Sequence, residues 1–265
     1  MTSLQTLFPL SHYHVPFCEP DAHKGTKQNL GQHLTGDEIR NSPYVLNFGQ
    51  DMYCEQLCVS NLGNNEKIGQ GVNQATKMVQ AIRKDFHANW LVDGLPAAYR
   101  KSSEEWITTK FAGGFPIGYV GKNGRSFVYN HVNLEIHYHP VHEHDGDDED
   151  LAMSPKDEFR IVRFIVEPFS IKHHFKSWGK GDLNEIANAE ETSVLPKVVN
   201  LIKPTKSCDP NSGNEHTSFH QLYEVEKVHP QRASGRVLFT YDVIWKEDME
   251  THWGDRWAIY LSADG

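Results

Sequence analysis

The sequence contains no run of ~18 apolar residues, the length a bilayer-spanning helix needs, so the chain is expected to cross no membrane. Its first ten residues, MTSLQTLFPL, lack the basic start and long apolar stretch of a secretory leader. No Asn-x-Ser/Thr acceptor occurs, since Asn41 and Asn211 are followed directly by Ser. Taken alone, these absences point to the cytosol. Basic residues are in deficit, with 26 Lys and Arg against 35 Asp and Glu and a formal charge of −9. That balance disfavours nucleic acid or an anionic membrane as the main partner, because both demand basic patches. There is no phosphate-binding loop, no dinucleotide fingerprint and no G-x-S-x-G elbow. Gly113-Gly114 lies in a turn without a strand–helix context. Signals for an enzyme are therefore weak throughout.

Cysteine is sparse: Cys18, Cys54, Cys58 and Cys208. Four allow two disulfides in three pairings, or four buried thiols. Zinc is disfavoured, because Cys54 and Cys58 form a C-x₃-C with no matching second pair. Histidine, by contrast, is abundant. Full protonation of the 16 imidazoles would carry the formal charge from −9 to +7, so an acidifying compartment would drive this chain through neutrality. The plainer reading is that most of these histidines are solvated.

With 265 residues, 38% of them hydrophobic, the chain can bury a sizeable core as one domain, residues 1–265. The stretch to about residue 40 is rich in Pro, Gly and His and reads as loop; Pro43–Phe48 reads as a short strand. Ala75, Val79, Ile82, Phe86 and Trp90 recur at helical spacing, with Met78 beside them, and predict an amphipathic helix over 73–90. Strands follow. In Arg125–His139, Val128, Val132, Leu134, Ile136 and Tyr138 share one face, while Asn133, Glu135, His137 and His139 share the other. Glu158–Pro168 alternates through Val162, Phe164 and Val166. Val237, Phe239, Tyr241, Val243 and Trp245 alternate with Leu238, Thr240, Asp242, Ile244 and Lys246. The expectation is a mainly β fold, antiparallel sheets packed like a sandwich, with one clear helix. Residues 142–158, acidic and without period, and 176–234, rich in Ser, Asn, Lys and Pro, read as irregular loops.

The best local candidate for chemistry is His137-Tyr138-His139 with Glu143. On a strand the two imidazoles project to one face about 7 Å apart, and with a nearby carboxylate could hold a transition metal. The spacing matches the H-x-H-x₃,₄-E core of cupin β-barrel enzymes. The flanking glycines of that motif are replaced by His131 and Asp150, and no second motif appears. The competing reading is a solvated strand face running into an acidic loop. His173-His174 is a poor chelate, since strand neighbours point opposite ways.

Several blocks together resemble the lumenal domain of the nonaspanins, the transmembrane 9 superfamily. They are SHYHVPFCEP, NLGQHLTGDEIRNSPYVLNF, YCEQLC, IRKDFHANWLVDGLPAA, GGFPIGYV, YNHVNLEIHYH, FRIVRFIVEPFSIKH and FTYDVIWKEDMETHWGDRWAIYL. They run in family order, with Val15 where Leu is usual and the W-x-x-R-W core at Trp253, Arg256 and Trp257. The resemblance covers most of the chain; the 142–158 and 176–234 loops match poorly. It implies the lumenal part of a multi-pass Golgi or endosomal protein that helps sort or localise other membrane proteins, with roles in adhesion and phagocytosis. It recasts the absent leader and spans as boundaries of an excised ectodomain. It implies no catalytic residues and no cofactor, and as partners membrane-protein cargo and the protein's own transmembrane domain, or a role as structural cap for that domain. It also implies an oxidising compartment, with Cys54–Cys58 and Cys18–Cys208 as the expected bridges. Trp245 is expected in the core. Trp253 and Trp257 are expected either there or against the membrane portion.

Overall fold

The computed structural model describes residues 1–6, 8–22, 39–62, 74–101, 110–141, 158–173 and 230–261. In chain order these form β1 (Met52–Leu62), helix α1 (Gln74–Arg83), β2 (His87–Ala88), β3 (Leu91–Val92), β4 (Leu95–Pro96), β5 (Ala98–Lys101) and β6 (Lys110–Gly113). Then come β7 (Phe115–Pro116), β8 (Gly118–Val120), β9 (Ser126–Val128), β10 (His131–Val141), β11 (Glu158–Phe169), β12 (Gly235–Glu247) and one-turn α2 (Ala258–Leu261).

The mainly β expectation holds. The principal sheet has six strands in the order β1-β12-β10-β11-β5-β6. It is mixed rather than purely antiparallel, since β12 lies parallel to β10 and β11 parallel to β5. Among the described residues it is open, with β1 and β6 at its ends, and they close no barrel of the kind a cupin-like enzyme would need. Three two-stranded ribbons, β2–β7, β3–β4 and β8–β9, complete the described strands.

One face of the sheet carries the apolar core. Val132, Leu134 and Ile136 of β10, Phe164 and Val166 of β11, and Val237, Phe239, Tyr241 and Val243 of β12 share it with Met78, Ala81 and Ile82 of α1. β12 sits between β1 and β10 and is buried on both faces: its alternate residues Leu238, Thr240 and Asp242 are buried too. Gly118 is where α1 presses on the β8–β9 ribbon. A methyl group there would collide with the Phe127 carbonyl and with Ile82.

Three elements differ from the sequence reading. The helix stops at Arg83 instead of running to Trp90. Asp85 takes a left-handed φ of +52°. The Phe86 amide then donates to the Ala81 carbonyl at 3.1 Å and the Asp85 amide to that of Ile82 at 3.0 Å, closing a Schellman cap. The strand expected over 125–139 is split in two. At the break, buried Asn130 donates to the carbonyls of Ile171 and Leu238 and accepts from the Ile171 amide, so a side chain replaces the ladder. Pro43–Phe48 forms no strand, running from a bend at Pro43 to a turn at Phe48; the Tyr241 hydroxyl serves the Val45 backbone instead, accepting from its amide at 3.2 Å. Residues 142–157 and 176–229 lie outside the described residues. Of the second expected loop, 230–234 are ordered against β9, with Ala233 buried and Arg232 bridged to Phe127.

Candidate functional site

The disulfide framework departs from expectation. Cys58 bonds to Cys18, across a Cα–Cα distance of 5.8 Å. The expected Cys54–Cys58 bridge is excluded by strand geometry. Both residues lie on β1, where four residues of extended chain span about 13 Å, far beyond the roughly 7 Å a disulfide can bridge. Cys18–Cys58 instead staples the amino-terminal arm to the β1 edge, beside Ser60 Oγ, which donates to the Pro16 carbonyl at 3.0 Å. Cys54 is disulfide-bonded as well, and Cys208 lies outside the described residues.

The sheet face opposite the core is a polar stripe. At its buried end, His131 Nδ1 lies 2.8 Å from Thr240 Oγ1, which is 3.3 Å from His173 Nε2. Asp242 lies 3.5 Å from His131 Nε2. The Asp242 carboxylate also accepts the Cys54 amide at 2.6 Å, holding Cys54 at its left-handed φ of +53°. These groups are at most 5% exposed; they fix strand register and the Cys54 corner.

Further along the stripe the alternation delivers His137 and His139 to one face, as the sequence indicates. Each is engaged by carboxylate or carbonyl oxygens. His137 Nε2 is 2.7 Å from Glu135 Oε1, and Nδ1 is 3.5 Å from Asp248 Oδ2. Lys246 Nζ holds the other Glu135 oxygen at 2.7 Å. Arg163 Nε lies 3.2 Å from Asp248 Oδ2. His139 Nδ1 lies 2.8 Å from the Asp248 carbonyl. Burial would raise the Glu135 carboxyl, but hydrogen bonds to His137 and Lys246, and their charges, override it and hold it at about 2. Asp248 is likewise held below its ordinary value: burial opposes, while the Thr251 amide and hydroxyl, Arg163 and the Glu250 amide prevail. Glu143, the third member of the expected triad, lies outside the described residues. The sequence reading had Glu135 on this face but missed the partners Asp248, Lys246 and Arg163; only Lys246 carried a signal, since the polar faces of the first and third long strands each alternate with the core and would meet if those strands were neighbours.

The chain leaves this cluster through Asp248 into the W-x-x-R-W block. Trp245 packs against the core, as expected. Trp253 and Trp257 are each 45% exposed. Arg256 lies 4.3 Å from the Trp253 ring and 5.9 Å from that of Trp257, with Arg160 at 5.8 Å over Trp253. Arg256 also reaches Asp93 at 3.6 Å, and the Tyr260 hydroxyl donates to the Pro96 carbonyl. These bonds hold the block to the β3–β4 turn, leaving both indoles partly open.

A cavity of about 810 Å³ lies under the amino-terminal arm, walled by His12, Tyr13, Tyr44 and Trp90 and floored by Leu134 and Phe164. Its size suits a small molecule. His12 stacks on Phe17 at 4.5 Å; burial, with the Met1 ammonium, pushes its pKa down to about 3, so it is neutral. Its neighbours Tyr13 and Tyr44 are raised by burial.

Fold and sites define a mainly β domain stapled by disulfides, with a charged cluster where the last strand leads into an exposed aromatic edge. The sequence profile of the Endomembrane protein 70 family matches residues 9–265, and the chain belongs to that family. It is 28% identical over 268 residues to transmembrane 9 superfamily member 10 of Arabidopsis thaliana, covering 98% of this chain and 34% of that protein. It is 28% identical to member 4 of Homo sapiens, over 99% of this chain and 35% of that protein. With member 3 of Saccharomyces cerevisiae the identity is 27%, over 97% and 29%. The chain thus spans about a third of the length of the curated relatives it matches. No solved structure matches. The nonaspanin resemblance holds, and the family is one of membrane proteins. Among the described residues, no helix is long and apolar enough to cross a membrane.

Proposed function

We propose that this chain is the non-catalytic lumenal domain of a multi-pass Golgi or endosomal membrane protein that helps sort or localise other membrane proteins. The observation that carries the lumenal assignment is the Cys18–Cys58 staple in a chain of a membrane-protein family. Structural disulfides persist on the oxidising side of a membrane and are rare in the reducing cytosol. Two partners follow: membrane-protein cargo, and the transmembrane portion of the same protein. The exposed Trp253 and Trp257, flanked by Arg160 and Arg256, supply the chemistry for the second, since indole rings with cationic neighbours favour membrane–water boundaries. That edge equally supports a structural-cap role.

Protease protection tests the assignment. In sealed vesicles from cells making the full-length protein, an epitope placed within residues 142–157 should resist added protease until detergent is added. Digestion in intact vesicles would place the domain on the cytosolic side and end the proposal.

A further inference from the structure

The cluster around His137 is built so that one proton changes how it holds the chain. His137 Nε2, at 2.7 Å from Glu135 Oε1, must donate its hydrogen to that carboxylate. In the neutral imidazole Nδ1 then carries a bare lone pair, and it faces a second carboxylate, Asp248 Oδ2, at 3.5 Å. Two acceptors facing each other repel. Protonation of Nδ1 converts that contact into a charge-assisted hydrogen bond, the stronger kind. Among the described residues, the other charged or titratable groups of the cluster are Lys246 from β12, Arg163 from β11, His139 from β10 and His252, whose ring lies 5.5 Å from that of His139. Lys246 and Arg163 stay cationic across the histidine range, so neither can supply the change. His139 Nδ1 bonds the backbone carbonyl of Asp248, and His252 faces His139, so neither ring meets the Asp248 carboxylate that accepts the Glu250 and Thr251 amides.

Asp248 is the hinge on which this matters. One carboxylate oxygen accepts the amides of Glu250 at 3.1 Å and Thr251 at 2.9 Å; the other accepts the Thr251 hydroxyl. Arg163 donates to the same hydroxyl at 2.7 Å. The Asp248 amide donates to the Tyr138 carbonyl at 2.9 Å. The direction in which the chain leaves β12 for Trp253 is set at this turn.

We infer that His137, Glu135 and Asp248 form a proton-operated latch that tightens the 248–251 turn, and with it the Trp253–Trp257 edge, when the surroundings acidify through the histidine range. The latch is a property of the domain itself and holds whatever that edge meets.

Amide hydrogen exchange on the 265-residue chain tests it, read as protection factors so that the intrinsic pH dependence of exchange is removed. Gaining one charge-assisted bond should raise protection at Glu250 and Thr251 roughly tenfold between pH 7.5 and pH 5.5. His137→Gln can still donate to Glu135 but cannot gain a proton, so it should keep the pH 7.5 protection and lose the increase. Asp248→Asn keeps an oxygen for the turn while removing the charge opposite Nδ1, and should lose the increase as well; it serves if the first variant folds poorly. Unchanged protection in the wild type, or an increase that survives in either folded variant, would overturn the latch.

Discussion

Asp85, Cys54 and Asp93 are the described non-glycine residues with positive φ, and the first two show how single side chains shape this domain. Cys54 is held in that conformation by Asp242, whose buried carboxylate takes the Cys54 amide. Asp85 ends α1 in the place where glycine is preferred. Replacing it with glycine removes the Cβ penalty, so Asp85→Gly should stabilise the domain by about 1 kcal/mol, read from the urea midpoint. Glu135 makes a pH-dependent prediction. Its folded pKa of about 2 lies below the ordinary 4.5. A depressed carboxyl contributes fully above the unfolded value and loses its contribution as pH falls through the folded one. Glu135→Gln should therefore cost about 2 kcal/mol at pH 7, and the gap from wild type should close progressively between pH 4.5 and pH 2. A constant gap across that window would mean that Glu135 acts through packing rather than charge.

At the scale of elements, β12 and the amino-terminal arm decide the architecture. β12 enters from late in the chain to separate β1 from β10, pairing antiparallel with one and parallel with the other. The arm is bridged to His87 at Thr2, and Cys18–Cys58 and the edge contact of Phe17 with Phe239 hold it to the sheet. The bridge closes a separation of 40 residues, which in the chain-entropy account is worth about 4 kcal/mol. Joint replacement of Cys18 and Cys58 by Ala should lower unfolding free energy by about that amount. The cavity walled by His12 and Trp90 should open at the same time, detectable as increased quenching of Trp fluorescence. A loss near zero would show that the unfolded chain was already constrained elsewhere.

For the whole molecule, the polar stripe and the aromatic edge belong to one design: charged groups converge at the end of β12 where the partly open indoles begin. Trp253 and Trp257 are nearly half exposed, so replacing both with Ala should change unfolding free energy by no more than about 1 kcal/mol. The same change should weaken retention of the domain on zwitterionic lipid vesicles at least several-fold, measured by flotation. Equal retention of wild type and variant would remove the membrane boundary as what that edge faces.

The sequence alone determined the mainly β class, the three long strands, the position of one amphipathic helix and the family. Each rests on local periodicity or on ordered blocks that need no knowledge of which strands touch. It also placed Glu135, His137 and His139 on one face, because alternation is a property of a single strand. Tertiary structure alone decided that this face lies beside Lys246 and Arg163 and under Asp248, that β12 runs parallel to β10, and that Cys58 reaches Cys18. Pairing, direction and disulfide partner are set by distances between segments far apart in the chain. Alternation reads the same whichever neighbour a strand takes, and nearness in sequence places two cysteines of one extended strand too far apart to bond.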